Sequence, residues 1–372
     1  MTQTNTNQFV PDYAVAPGDI LEETLESLRL SKSEFAKRAG LSSKTVSLIV
    51  SGQAPVTSDN AVVFERVLGI SAQVWTNIES EYRLFWARKK AAAALEDAVA
   101  WSKEFPLAAM VKRGVLDIGL NAISKAGALL NFFRVKDPAA WDTRYGNMAA
   151  AFHKSAAFKS DYKSVVTWLR LAELRAESIQ TDPFDIKEFK NALKQIRLLT
   201  DKEPSVFEHQ MKDLCRQSGV ALVFVSEFPK THLSGATRWL SSEKAMIALS
   251  LRYKSNDHFW FTFFHEAGHI LKHGKRDVYI DESVRGHTDE EQEASQFASS
   301  FLIPDAQYNK FIQSSGRFSS HTIKQFAEQV GIAPGIVVGR LQHDKHLDYR
   351  WLNELKVRFV LLENNASKPE EN

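Results

Sequence analysis

A chain of 372 residues, 44% apolar and 25% charged, has the composition of a soluble globular protein and the length for two or three domains. Its formal net charge of +2 excludes a chain-wide polyanion surface, so any nucleic-acid contact has to be local. Cys215 is the single cysteine, no apolar run approaches the ~20 residues of a membrane span, and Met1 to Gln8 lack the basic and apolar regions of a signal peptide; a disulfide-free, cytoplasmic protein with no membrane partner is expected.

Residues 1–12 are polar and read as a flexible tail. From Pro17 the pattern turns helical, with Ile20, Leu21, Leu25 and Leu28 at three- and four-residue spacing. Ser31 caps a second short helix carrying Phe35, Ala36 and Ala39, and Gly40 ends it. Ser42 or Ser43 opens a third helix through Val46, Ile49 and Val50. A fourth runs from about Thr57 to Leu68 with Ala61, Val62, Phe64 and Leu68 inward.

A short helix, a Gly-containing turn and another short helix form the helix-turn-helix signature. In that geometry the third helix enters the major groove and offers Ser43, Lys44, Thr45 and Ser47, while Lys32, Lys37 and Arg38 reach phosphates. Asp19, Glu22, Glu23, Glu26, Glu34, Asp59 and Glu65 leave the segment without net basic charge, which favours a bundle used only for protein contacts. Pro17-Gly18-Asp19-Ile20-Leu21, Leu30-Ser31-Lys32-Ser33-Glu34-Phe35-Ala36, Ser51 to Thr57 and Leu68 to Trp75 resemble a HigA-type (XRE-like) antitoxin, the plasmid-maintenance antidote family. The likeness covers roughly residues 15–85. Members bind operator DNA as dimers, so the resemblance implies operator DNA and a homodimer.

Residues 79–204 read as a helical connector. A long helix is expected from Glu79 to about Lys103, then helical runs around Ala149–Phe158, Lys163–Ile179 and Ile186–Leu199. The aromatics of this stretch, Trp101, Phe133, Trp141 and Trp168 among them, fit a core, and its chemistry is not legible.

The second half carries the chemistry. A helix from about Ser205 to Ser218 leads into a buried strand at 219–225, and 235–240 and 246–253 read as two further strands. Phe259 to Gly274 then holds His265-Glu266-Ala267-Gly268-His269, an H-E-x-x-H sequence, on a helix that Asn256 or Asp257 can cap. Residues four apart share a helix face, so His265 and His269 can present two imidazoles to one zinc ion, with Glu266 beside it as the base that takes a proton from an activated water. Sheet followed by metal helix is the zincin order, and an edge strand above the site could hold an extended peptide.

A catalytic zinc wants a third protein ligand. His273 continues the i, i+4 series, but one turn further along the same axis is too far. On the helix Asp289–Leu302 the apolar stripe is Ala294, Phe297, Ala298 and Phe301; Glu290 and Glu293 lie on or beside it, and periodicity slightly prefers Glu290. Phe261 to His269, Glu293-Ala294-Ser295-Gln296-Phe297-Ala298, Phe301-Leu302-Ile303-Pro304 and Ile332 to Gln342 resemble the ImmA/IrrE metallopeptidases over roughly residues 205–345. That resemblance implies Glu293 as the third ligand; the family's usual Asn or Asp after the alanine is Ser295 here. Tyr279, Arg285 and His287, between the two metal helices, are open choices for an oxyanion-stabilising group.

The expected fold is mainly α with an α+β catalytic domain: a helix-turn-helix bundle at 13–78, a helical connector at 79–204, a zincin-like sheet plus H-E-x-x-H helix at 205–345, and tails at 1–12 and 346–372. The expected function is a DNA-binding regulator with a zinc-dependent endopeptidase domain that cleaves a regulatory protein, either a repressor or a toxin–antitoxin component. One alternative is a non-proteolytic antitoxin-like repressor whose metal domain is a sensor or relic. Another is a scaffold that holds a toxin partner.

Overall fold

The computed structural model describes residues 13–154, 161–250, 255–275, 278–282, 289–314 and 318–359. The chain divides into two compact units, one up to Ala100 and one from Trp101.

The first unit contains α1 (Pro17–Ser27), α2 (Lys32–Ala39), α3 (Ser43–Val50), α4 (Ser58–Leu68) and the start of α5 (Ala72–Ser102). Each boundary has a chemical cause. Ser31, Ser42 and Thr57 accept the backbone N–H groups of Glu34, Thr45 and Asn60, and Gly40 and Gly69 close α2 and α4 in the left-handed conformation. Leu21, Leu25, Phe35, Val46, Ile49, Phe64 and Trp75 build the core, with Phe64 edge-on to both Phe35 and Trp75 at 5.2 and 5.3 Å. Gly18 lets α1 cross α3, since a Cβ there would sit 2.3 Å from the Val50 carbonyl oxygen. Leu28 and Val62, expected inward, are exposed: α1 stops at Ser27, and Val62 lies one step round from the buried Ala61.

The second unit opens with α6 (Leu107–Lys112), α7 (Ala122–Phe133), α8 (Pro138–Lys154), α9 (Tyr162–Ser178), α10 (Ile186–Arg197) and α11 (Pro204–Gln217). There follow β1 (Val220–Phe224), β2 (Leu233–Ser241), β3 (Lys244–Leu249), α12 (Asn256–Lys272), β4 (Val278–Glu282), α13 (Asp289–Leu302), α14 (Asp305–Ser314), α15 (Ser320–Val330) and α16 (Pro334–His343). The sheet order is β1-β3-β2-β4, with β1 parallel to β3 and β2 antiparallel to both its neighbours.

Both faces of this sheet are covered, which is why β1 reads as an unbroken apolar run. Val220, Leu222 and Phe224 join Ile247 and Leu249 in the core shared with α10, α11 and α12. Ala221 and Val223, pointing the other way, are equally buried, and α9 lies across that face. Trp168 donates its indole N–H to the Val225 carbonyl at 2.8 Å, and Arg175 donates to that of Phe224 at 2.9 Å. Arg170, almost fully buried, is held by Glu173 and Glu177, and Glu173 also pairs with Arg238 on β2. The expected connector is therefore structural: α9 and α10 are walls of the second unit.

The segment after 345, expected as a tail, is also packed as far as the structure describes it. Leu347, Leu355 and Phe359 enter the same core, and Arg358 bridges to Ser255. This returning segment, rather than a side-chain cap, anchors the start of α12. Asn256 exchanges hydrogen bonds with Val357, and Asp257 pairs with Lys356 at 2.7 Å. The third expected strand ends earlier than foreseen, at Leu249, and residues 251–254 lie outside the described residues. No described helix is long and apolar enough to cross a membrane.

Candidate metal centre and helix-turn-helix surface

α12 is buried almost all round, through Phe259, Trp260, Phe263, Phe264, Ala267 and Ile270. A helix so enclosed has little freedom to turn, and it fixes His265 and His269, both within 2% of complete burial, on the side facing α13. Gly268 sets the distance between the two helices. A Cβ there would stand 3.1 Å from Ala294 Cα and from the Phe297 ring, tighter than ordinary contact, so a larger residue would push the two helices apart by a few tenths of an ångström.

Across that gap three donor atoms converge. His265 Nε2 and His269 Nε2 are 3.1 Å apart, and Glu291 places Oε2 3.0 Å from the first and Oε1 3.4 Å from the second. Among the described residues, His265, His269 and Glu291 form a group able to hold a metal ion, their ligand atoms all within 4.8 Å of one another. Tetrahedral bonds of about 2.0–2.1 Å put ligand atoms about 3.3 Å apart, so the spacing and the two-imidazole, one-carboxylate donor set both fit zinc. Burial works against ionising Glu291, but the hydrogen bonds and charges of His265 and His269 more than reverse it and hold its carboxyl at about 2. Burial also keeps His269 below its ordinary value, against a pull upward from Glu291. An anionic carboxylate, and at His269 a lowered value that favours the neutral ring, suit cation binding.

Glu291 occupies the position expected of Glu293. The reason is helical phase: 291, 294 and 298 fall at i, i+3 and i+7, so Glu291 shares the face on which Ala294 and Ala298 meet α12. Glu293 lies one step round, 63% exposed, with Oε2 3.4 Å from His273 Nε2. Glu290, the choice of periodicity, is exposed. The sequence carries a partial signal, since small residues mark where a helix can approach closely and Glu291 lies three before Ala294, but only the packing of α12 on α13 shows that this seam is the one used.

Two further contacts shape the site. Ser295, where the resembled family has Asn or Asp, sets Oγ 3.3 Å from His265 Nδ1, so the hydroxyl can hold that ring with Nε2 turned to the cluster. Glu266, completely buried, points to β2, where the Thr237 hydroxyl donates to its Oε2 at 2.6 Å. Gly235, on the same strand, leaves the space that the other carboxylate oxygen fills. Neither Thr237 nor Gly235 is singled out by any sequence motif. Of the oxyanion candidates, Arg285 and His287 lie outside the described residues, and Tyr279 is on β4, opposite Thr237 in the backbone register.

In the first unit, Ser43, Lys44 and Ser47 are exposed along α3, and Thr45 is half-buried with its hydroxyl 2.8 Å from Ser42. Lys32 is paired with Glu22 at 2.5 Å and Arg38 with Glu34 at 3.1 Å. The geometry thus offers α3 directly, whereas those two cations already have acidic partners.

Fold and site together define the class: a helix-turn-helix regulator joined to a metallopeptidase-like domain. Comparison with known families agrees at both ends. Residues 21–75 match a helix-turn-helix family model, and residues 215–342 match a peptidase family model described as the IrrE N-terminal-like domain. The chain is 36% identical over 73 residues to an uncharacterized HTH-type transcriptional regulator, YddM, of Escherichia coli (strain K12), covering 20% of this chain and 78% of that one. It is likewise 36% identical over 77 residues to virulence-associated protein I of Dichelobacter nodosus, covering 20% and 71%. Among solved structures, an addiction module antidote protein of a HigA family from Coxiella burnetii matches at 28% identity, TM-score 0.21, over 22% of this chain and 91% of that one. PA4674 from Pseudomonas aeruginosa, solved in complex with its operator DNA, matches at 32% identity, TM-score 0.22, over 23% and 93%. The chain belongs to the helix-turn-helix family through its N-terminal unit and carries an IrrE N-terminal-like domain in its second.

Proposed function

We propose that this protein is an operator-binding regulator, acting as a homodimer, whose second unit is a zinc-dependent endopeptidase for a regulatory protein such as a repressor or a toxin–antitoxin component. The observation that carries the enzymatic part is the convergence of His265 Nε2, His269 Nε2 and a Glu291 oxygen on one point, with the Glu266 carboxylate on the next residue of the same helix. A structural metal site has no use for that extra acid.

His265, His269 and Glu291 would hold the ion, which when bound supplies Lewis-acid polarisation and a water of lowered pKa. Glu266 takes the proton of the attacking water and returns it to the leaving amine; burial and the Thr237 hydroxyl keep its carboxylate in one orientation for both transfers. Ser295 keeps His265 turned toward the ion. The family match of residues 21–75 supports a reading in which α3 enters the major groove, with Ser43, Lys44, Thr45 and Ser47 toward the bases and Lys32 and Arg38 near phosphates.

One observation favours the non-proteolytic reading: Glu266 is completely buried, beneath β2. An antitoxin-like repressor with a metal-sensing second unit needs no access to that carboxylate. The readings separate in one assay. The zinc-loaded full chain is incubated with candidate repressor and toxin–antitoxin proteins, alongside Glu266→Gln. The endopeptidase reading expects a zinc-dependent cut that falls by about 10²–10⁴-fold in the variant while bound zinc is retained. Stoichiometric zinc with no cut in any of these proteins supports the sensor.

A further inference from the structure

We propose that His273 and Glu293 form an outer shell that fixes His269 as a metal ligand; this rests on the metal site read above and extends it. The argument is one of tautomers. His269 turns Nε2 toward His265 and Glu291, so a ligand lone pair has to sit on Nε2 and the ring proton on Nδ1. That Nδ1 lies 2.9 Å from His273 Nδ1, which can only accept the hydrogen bond if its own proton is on Nε2. His273 Nε2 in turn lies 3.4 Å from the Glu293 carboxylate. The hydrogen bond therefore runs from His269 to His273, and the Glu293 carboxylate beyond it, through its charge and not through a second hydrogen bond, favours the proton on His273 Nε2.

The backbone explains how His273 reaches this position. It is the C-cap of α12, in extended conformation at φ −112° and ψ 167°, so its side chain leaves the helical path instead of rising another turn. Its backbone N–H is still tied to the His269 carbonyl at 3.1 Å. The side chain is 6% exposed, so its contact with His269 is shielded from competing water; that of Glu293, at 63%, is not. His273 is therefore the principal positioning residue and Glu293 the weaker one. His265 receives the matching service from Ser295 on α13, so each imidazole has its non-ligating nitrogen held. Holding the ring in the binding tautomer and orientation is worth about 10–100-fold in metal affinity at comparable sites.

The test is zinc affinity of the full chain, measured by competition with a chromogenic chelator, with the unfolding temperature of the metal-free protein alongside. His273→Leu removes the acceptor and should bind zinc about 10–100-fold more weakly. His273→Asn puts an amide oxygen where Nδ1 stood and should restore affinity to within about 3-fold of the parent. Glu293→Gln, at an exposed position that leaves folding intact, should weaken zinc by about 3-fold. Parent affinity in both His273→Leu and Glu293→Gln overturns the proposal. So does equal weakening in His273→Leu and His273→Asn, which marks a packing role. If His273→Leu does not fold, His273→Asn and Glu293→Gln decide: the first near parent affinity and the second weakened supports the proposal, and the reverse overturns it. A parent protein that binds no zinc overturns the metal site itself, and this inference with it.

Discussion

Gly235→Ala adds one methyl group beneath the Glu266 carboxylate. Its Cβ would lie 2.6 Å from Oε1, 2.9 Å from Cγ and 3.0 Å from Thr262 Cγ2, where ordinary contact begins at 3.4 Å; Oε1 alone is short by 3.4 − 2.6 = 0.8 Å. The strand cannot easily yield, because Gly235 is paired with Leu249 on one side and Asp281 on the other. The carboxylate has to move, and the Thr237 bond to Oε2 goes with it. Overpacking and one lost hydrogen bond to a charged group overlap, for a combined cost of about 2 kcal/mol. In a unit of this size that is a fall of about 4–8 °C in Tm, readable by scanning fluorimetry. A displacement near 1 Å is also expected to lower cleavage by about 10²-fold. Zinc affinity should stay within about 3-fold of the parent, since the ligand atoms lie on the α13 side. An alanine variant with parental Tm and parental cleavage would show that β2 does not pin the base, and the reasoning fails.

Two further outcomes follow from other parts of the molecule. Asp344 meets Arg340 at 2.6 Å and His343 at 2.8 Å; burial opposes its ionisation, but these partners outweigh burial and hold its carboxyl below the ordinary value. A depressed carboxylate stabilises the fold above its unfolded pKa, about 4, and that stabilisation is lost as pH falls through the folded value. Asp344→Asn should therefore cost about 1 kcal/mol in urea unfolding at pH 7 and progressively less below about pH 4; a pH-independent difference contradicts this. Lys44 is exposed on α3, and Lys44→Ala should weaken binding to the protein's own promoter DNA and reduce the salt slope by about 1. An unchanged slope in a gel shift removes Lys44 from the interface.

Much of the fold could be read from local pattern because local chemistry sets it. Ser31, Ser42, Thr57, Gly40 and Gly69 mark the ends of the helix-turn-helix bundle through caps and left-handed turns that depend on one or two residues. The H-E-x-x-H helix likewise declares two ligand positions through its own period. What stayed hidden depends on distant partners. α9 gives a weak pattern because it is buried on nearly every side from Ser164 to Glu173, so no polar face betrays its role as a wall of the sheet. Leu347, Leu355 and Phe359 look like a tail until they are seen closing the core over α12. Thr237 and Gly235 acquire meaning only from Glu266, 29 and 31 residues further on in the chain.

The choice between Glu291 and Glu293 is the sharpest case. Resemblance placed the ligand beside Ala294 and periodicity preferred Glu290, yet the deciding quantity is the phase of α13 at the seam made by Gly268, Ala294 and Ala298. That phase follows from packing two helices together, which neither helix specifies alone.

Zinc titration of the full chain, compared with Glu291→Gln and Glu293→Gln, tests the central claim most directly. The account predicts one zinc per parent chain, a loss in Glu291→Gln larger than the ~10–100-fold of outer-shell changes, and affinity within about 5-fold of the parent in Glu293→Gln. Loss of zinc in Glu293→Gln with parental binding in Glu291→Gln would contradict it.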